Sequence, residues 1–196
     1  MSTVVVVRKQ GVACIAADTL TTFGEQKQSP AYDRHSDKIQ ALGGGALAIV
    51  GSAAHALVIE SVAHARRVRF DLRDRLRIFE SFRELHGELK EHYFLNPRDS
   101  EDESAPYESS RIDALVAHPA GIFGVYALRE VYEYACFWAI GSGAEYALGA
   151  MHAVYEASDG AEDVARAGVE AGAEFDTGTA LPWTVRTFPL AAGGGD

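Results

Sequence analysis

At 196 residues, 47% of them hydrophobic and 23% charged, the chain is long enough to bury a substantial core and reads as a single domain spanning 1–196. Its formal charge of -10 argues against nucleic acid and anionic membranes as partners, and no apolar run is long enough to cross a bilayer or to act as a signal peptide. The two cysteines, Cys14 and Cys136, fall in apolar strand-like segments and read as buried thiols of a cytoplasmic protein rather than as a disulfide framework.

Taken in chain order, residues 2–9 and 12–17 are β-branched and apolar runs flanking Gly11, the pattern of a β-hairpin. Lys38–Leu42 and Ala46–Val50 flank Gly43-Gly44-Gly45 and form a second hairpin. The spacing of Leu57, Val58, Val62 and Ala65 predicts a helix from Ala53 to about Val68. Leu72, Leu76, Phe79, Phe82, Leu85, Leu89 and Tyr93 repeat at helical spacing and predict a second helix to Phe94. Asn96–Ser110 reads as an acidic loop carrying Asp99, Glu101, Asp102, Glu103 and Glu108. Ile112–His118 and Ile122–Leu128 form a hairpin, and Val131–Ile140 reads as one further strand. Gly141-Ser142-Gly143 opens a helix to about Ala157, with Ser142 as an ordinary N-cap; a last helix covers Ala161–Phe175. Thr184–Phe188 closes the chain as a strand, and the tail Gly193–Asp196 is expected to be loose. Strands and helix pairs in this order suit two antiparallel sheets covered by helices on both sides.

The first eighteen residues carry the chemistry. Ser2 directly follows Met1, and an aminopeptidase that trims Met before small residues would leave Ser2 at the terminus. One residue would then hold a hydroxyl and an α-amine of pKa about 8, a nucleophile and a base together. The hairpin returns Asp18 to the start of the first strand, beside Ser2. The seven histidines show no metal-ligand spacing, and the triple glycine is not followed by the Gly-Lys-Ser/Thr of a phosphate loop. Arg66, Arg67, Arg69, Arg73, Arg75 and Arg77 read as subunit contacts or a solvated face, given the acidic whole.

Along nearly its whole length the chain resembles proteasome β-type subunits, in particular the bacterial branch around the HslV peptidase. The opening "STVVVVRKQGVACIAADT" resembles the family's nucleophile, strand, Arg-x-x-Gly turn, second strand and acid. "DKIQAL" resembles the strand bearing the essential lysine, here Lys38. "AIVGSAAHA" resembles the turn whose glycine supplies the oxyanion-hole amide, here Gly51. "IGSGAEYA" resembles the helix start whose serine supports the nucleophile, here Ser142. "AGAEFDTGT" resembles a loop that holds a cation through backbone carbonyls, which implies a structural Na+ at Ala171, Glu174 and Thr177 and no other cofactor. The usual threonine nucleophile is replaced by Ser2, with Thr3 next. The segment from Asp18 to Lys38 is longer than in HslV, as is the acidic loop. These departures are similar to the betaproteobacterial proteasome homologue.

The resemblance implies an α+β fold, a four-layer αββα sandwich of the N-terminal nucleophile hydrolase type. It implies a threonine-type endopeptidase with Ser2 as nucleophile and Asp18, Lys38, Gly51 and Ser142 as its catalytic companions. Thr21, Thr22, Ile49, Gly51 and Ala53 would line the substrate strand and the pocket beside the cleaved bond. It also implies a homo-oligomer of two stacked rings of six or seven subunits, acting on peptides or unfolded proteins. The C-terminus lacks the docking tail of HslV, which leaves an AAA+ unfoldase partner open. The alternative is a catalytically inactive ring scaffold of the same fold; the joint presence of Ser2, Asp18, Lys38 and Gly51 favours the peptidase.

Overall fold

A computed structural model describes residues 2–97 and 106–191. The chain forms, in order, strands β1 (Thr3–Lys9), β2 (Val12–Asp18), β3 (Thr21–Phe23), β4 (Gln26–Gln28), β5 (Ile39–Leu42) and β6 (Gly45–Val50). Helices α1 (Ala53–His64) and α2 (Arg75–His92) follow. Then come β7 (Asp113–His118), β8 (Gly121–Val125), β9 (Val131–Tyr134) and β10 (Phe137–Gly141), helices α3 (Ala144–Val154) and α4 (Ala161–Phe175), and β11 (Trp183–Pro189).

Two antiparallel sheets stack face to face. One has the order β10-β1-β2-β11, the other β5-β6-β7-β8-β9. Strand alternation divides the core into three layers. Val4 and Val6 of β1 and Ile15 of β2 point inward and meet Ala46, Ala48, Leu115 and Ile122 of the other sheet. Val5 and Val7 point the other way, against Ala147 and Met151 of α3 and Val164 and Val169 of α4. Leu47, Val116 and Phe123 face α1 and α2 through Ile59, Val62, Ile78, Phe82 and Leu85. The central strands are buried on both faces, which is why β1 reads as an unbroken valine run rather than an alternating one. The product is the four-layer αββα sandwich.

The structure redraws several elements. Val131–Ile140 is not one strand. β9 pairs with β8 in the five-stranded sheet, and β10 pairs with β1 in the four-stranded one, so the chain changes sheets at Ala135-Cys136. Tyr134 and Trp138 stack across that crossing, ring centroids 5.2 Å apart. Cys136 is exposed there, against the expectation of a buried thiol, whereas Cys14 is buried and its thiol is pushed up to about 12 by burial and by Glu162. α1 stops at His64, and Arg66 adopts a left-handed φ of 53° just beyond it. Its buried face is Ile59 and Val62, not Leu57, which is exposed. On α2, Leu76 is likewise exposed, and Ile78 takes its place in the core. The β3–β4 hairpin stands where no strand was expected. Of the acidic loop, Asp99, Glu101, Asp102 and Glu103 lie outside the described residues, as do Met1 and Gly193–Asp196; Glu108 is described and pairs with Lys90 at 2.5 Å and His86 at 3.2 Å.

Candidate active site

The site forms where β1 begins, between the ends of β2 and β10 and the start of β5. Register brings the elements together: Thr3 stands opposite Gly141 of β10, and Val4 opposite Ala17 of β2. Ser2, 7% exposed, therefore sits one residue beyond the ladder, beside Asp18. Asp18 is fully buried, and three donors hold its carboxylate. The Thr3 N–H donates to Oδ1 at 3.0 Å, the Leu20 N–H to Oδ2 at 3.0 Å, and Lys38 Nζ to Oδ1 at 2.8 Å. A buried carboxylate survives only with such partners.

Lys38 precedes the first residue of β5 and reaches back across the junction. Its Nζ donates to Ser2 Oγ at 2.9 Å as well as to Asp18. Burial disfavours the ammonium, while Asp18 and Asp176 favour it; burial prevails, and the lysine is held below its ordinary 10.5. A lysine bonded to a hydroxyl and shifted toward its neutral form can take up that hydroxyl's proton.

On the other side, Ser142 reaches Ser2, as the resemblance implies, but it is not the helix cap. Gly143, not Ser142, is the N-cap of α3, and it makes no side-chain capping bond. Ser142 Oγ donates to Asp176 Oδ2 at 2.6 Å and accepts from the Ser2 nitrogen at 3.2 Å. Thr179 Oγ1 donates to the same Asp176 oxygen at 2.7 Å. A hydroxyl has one proton to give, so in the 2.8 Å contact between Thr3 and Thr179 the Thr3 hydroxyl is the donor. Burial pushes the Asp176 carboxyl up, but the hydrogen bonds from Ser142, Thr179 and the Gly178 backbone outweigh it, and the group stays ionised below the usual carboxylate range. Thr3 is thus fully buried with its proton committed, while Ser2 Oγ faces the lysine.

The chain after β6 turns at Gly51, whose φ of +100° suits glycine; a Cβ there would meet nothing within 4 Å, so the requirement is conformational. That turn lies close to Ser2. A Cβ at Gly141 would strike the Ser2 carbonyl and stand 3.3 Å from Val50 Cγ1, the residue before Gly51. Ala53 opens α1 and is exposed, while Ile49 is half-buried against the core under α1 and α2. Thr21 and Thr22 lie half-buried on β3, immediately after Leu20, whose amide Asp18 binds. Ala171 and Glu174 occupy the last turn of α4, and Thr177 follows Asp176, its C-cap. Carbonyl oxygens at the negative end of a helix are the donor type a hard monovalent cation takes. Among the described residues, no group of three or more His, Cys, Asp or Glu side chains is placed to hold a metal ion.

The hairpin pattern brought out Ser2 and Asp18, the family resemblance added Lys38 and Ser142, and the structure brings these four together. It adds Asp176 and Thr179, which sequence reasoning passed over, and ties Thr3 to them. One signal was available: an acid at a helix C-terminus opposes the helix dipole, so Asp176 sits where an aspartate is unfavourable unless something else holds it.

A four-layer αββα sandwich that places a hydroxyl, a lysine and an aspartate at the head of β1 defines the N-terminal nucleophile hydrolase fold class. No protein-family model and no curated protein matches the chain. Solved structures do. Thiobacillus denitrificans BPH is 45% identical over 97% of this chain and 99% of its own, with a TM-score of 0.89. The same protein in complex with epoxomicin is 44% identical over 96% and 99%, with a TM-score of 0.88. The chain belongs to this family, the bacterial proteasome homologues of the HslV-related branch. A eukaryotic HslV from Trypanosoma brucei shares the fold at 18% identity over 94% of this chain and 98% of its own, with a TM-score of 0.63.

Proposed function

We propose that the chain is the subunit of a self-compartmentalising peptidase, with Ser2 as its terminal nucleophile inside a double ring of identical subunits. The observation that carries the reading is the pair of bonds from Lys38 Nζ, 2.9 Å to Ser2 Oγ and 2.8 Å to Asp18 Oδ1. Removal of Met1 turns the Ser2 nitrogen into an α-amine, which Ser142 and Asp176 already anchor.

With Lys38 neutral, the hydrogen bond reverses and Ser2 Oγ–H donates to Nζ. Oγ attacks the carbonyl carbon of the substrate peptide, and its proton passes to Lys38 or the α-amine. Asp18 holds the resulting ammonium. The developing oxyanion faces the Gly51 N–H; loss of such a donor typically slows a reaction about 10²–10³-fold. Collapse breaks the C–N bond, the relayed proton leaves on the amine, and an acyl ester remains on Ser2. Water then attacks the ester by the same relay and releases the acid. Thr21, Thr22, Gly51 and Ala53 present the substrate as an added strand, and Ile49 shapes the pocket with Ala53. The carbonyls of Ala171, Glu174 and Thr177 would hold a Na+, which would brace the segment carrying Asp176 and Thr179 without taking part in the reaction.

The test is cleavage of an unstructured protein by the purified oligomer. The wild-type chain is expected to release peptides and Ser2→Ala to release none. Equal turnover by Ser2→Ala would sink the proposal, and an inactive wild type would return the inactive ring scaffold.

A further inference from the structure

We propose that Asp37 is a positioning residue for Lys38, clamping the lysine's backbone to β11 through Arg186 and Thr184. The proposal rests on the reading of Lys38 as the base.

Lys38 has little local support. Residues 29–38 are turns and irregular chain, and the sheet pairing of β5 begins only at Ile39, opposite Ala48. The lysine's long side chain must nevertheless hold two bonds at once, to Ser2 and to Asp18. The neighbouring residue supplies the missing constraint. Asp37 Oδ1 accepts from the Ile39 N–H at 3.0 Å and from Thr184 Oγ1 at 2.8 Å; Oδ2 accepts from Arg186 Nη2 at 2.6 Å. The other guanidinium arm donates to the Val185 carbonyl at 2.8 Å, so the arginine is itself pinned to its strand. Thr184 and Arg186 stand two apart and so share a face of β11.

The register gives the clamp its meaning. β11 pairs with β2, Trp183 opposite Asp18 and Thr184 opposite Ala17. Asp37 therefore ties the backbone beside Lys38 to the strand that flanks Asp18. The two sheets are joined at their edges, β5 to β11, at the point where the lysine crosses between them. Both carboxylate oxygens of Asp37 are taken up by the Ile39 N–H, Thr184 and the Arg186 guanidinium, which offsets their charge, so Asp37 acts on Lys38 through the backbone. The Asp37–Arg186 pair is also partly exposed, side chains 35% and 49%, and such a pair adds little to stability. A small displacement of a catalytic group, by contrast, is felt strongly in rate.

The experiment uses the assembled full-length protein with Asp37→Ala, Arg186→Ala, the double variant and Arg186→Lys, beside Lys38→Ala. It reads kcat, KM, the pH–rate profile and the thermal midpoint on one fluorogenic peptide. Asp37→Ala and Arg186→Ala are each expected to lose about tenfold in kcat with KM held within about twofold. The thermal midpoint should stay nearly unchanged, and the rising limb of the wild-type pH–rate profile should shift. The double variant should be no worse than either single one, since both break one device. Arg186→Lys should recover most of the rate. Normal kcat in Asp37→Ala, losses that multiply in the double variant, or a loss that tracks unfolding with the pH limb unmoved would overturn the clamp. If Lys38→Ala is inactive while Asp37→Ala is normal, the clamp alone falls. If Lys38→Ala is active, the base assignment falls and the clamp with it.

Discussion

Ser2 and Thr3 are adjacent hydroxyl residues, and hydrogen-bond accounting separates them. The Thr3 proton goes to Thr179, whose own proton goes to Asp176, and Thr3 is fully buried. Ser2 Oγ alone meets an amine that can take its proton. Thr3→Ala should therefore cost about 1–3 kcal/mol of stability, the penalty of a buried polar group left without its partner. It should keep most of the turnover that Ser2→Ala abolishes. Parallel denaturant melts and peptide assays check this, and an inactive, well-folded Thr3→Ala would transfer the nucleophile's role. Lys38 is the second residue with a sharp expectation. Lys38→Arg keeps the charge beside Asp18 but cannot give up a proton near neutral pH, so turnover should vanish while the oligomer persists. Because burial lowers the lysine's pKa, the wild-type rate should rise with pH along a limb centred below 10.5. Much of this was legible in the sequence, because the first hairpin returns Asp18 to Ser2 and the family resemblance of the segment entering β5 points to Lys38. Asp176 was not: it meets Ser142 across 34 positions, and only the docking of α3 on α4 brings them together.

Elements show the same division between local and tertiary information. β1, β2 and α4 follow their sequence patterns closely, since each has an apolar stripe bounded by glycine or a breaker. The break between β9 and β10 carries no such sign. Val131-Tyr132-Glu133-Tyr134 and Phe137-Trp138-Ala139-Ile140 have the same strand character, and what separates them is which neighbour each can pair with. β3 and β4 were passed over for the opposite reason, being three residues each and largely polar. A stability expectation belongs to this scale. Burial holds His55 on α1, His86 on α2 and His118 on β7 below the ordinary histidine value. For His86, the pull of Glu108 is overcome by burial together with Arg129 and Lys90. A folded-state pKa below the unfolded one means that the unfolded chain binds more protons in the window between them. Stability is then full above about pH 6.5 and is lost as pH falls below it. Thermal midpoints between pH 7.5 and 5 should decline, and His86→Gln, which keeps polarity without titrating, should flatten the decline. A midpoint that rises on acidification would contradict the sign.

For the whole molecule, the proposed double ring predicts a sedimentation mass of 12 or 14 chains, according to whether each ring holds six or seven; a monomer or dimer at working concentration would remove it. Sequence order and length were enough for the four-layer architecture, because strand pairs and helix pairs alternate so that each apolar face finds one partner layer. Every chemical step, however, depends on one terminal residue, and intact mass with peptide mapping examines that residue. The active oligomer would be incubated with epoxomicin, the compound bound to the Thiobacillus denitrificans relative. The expected result is a chain lighter by Met1, carrying one inhibitor per subunit on the peptide that begins at Ser2. Active protein that retains Met1, or an adduct on Thr3 or any other residue, would contradict Ser2 as the nucleophile.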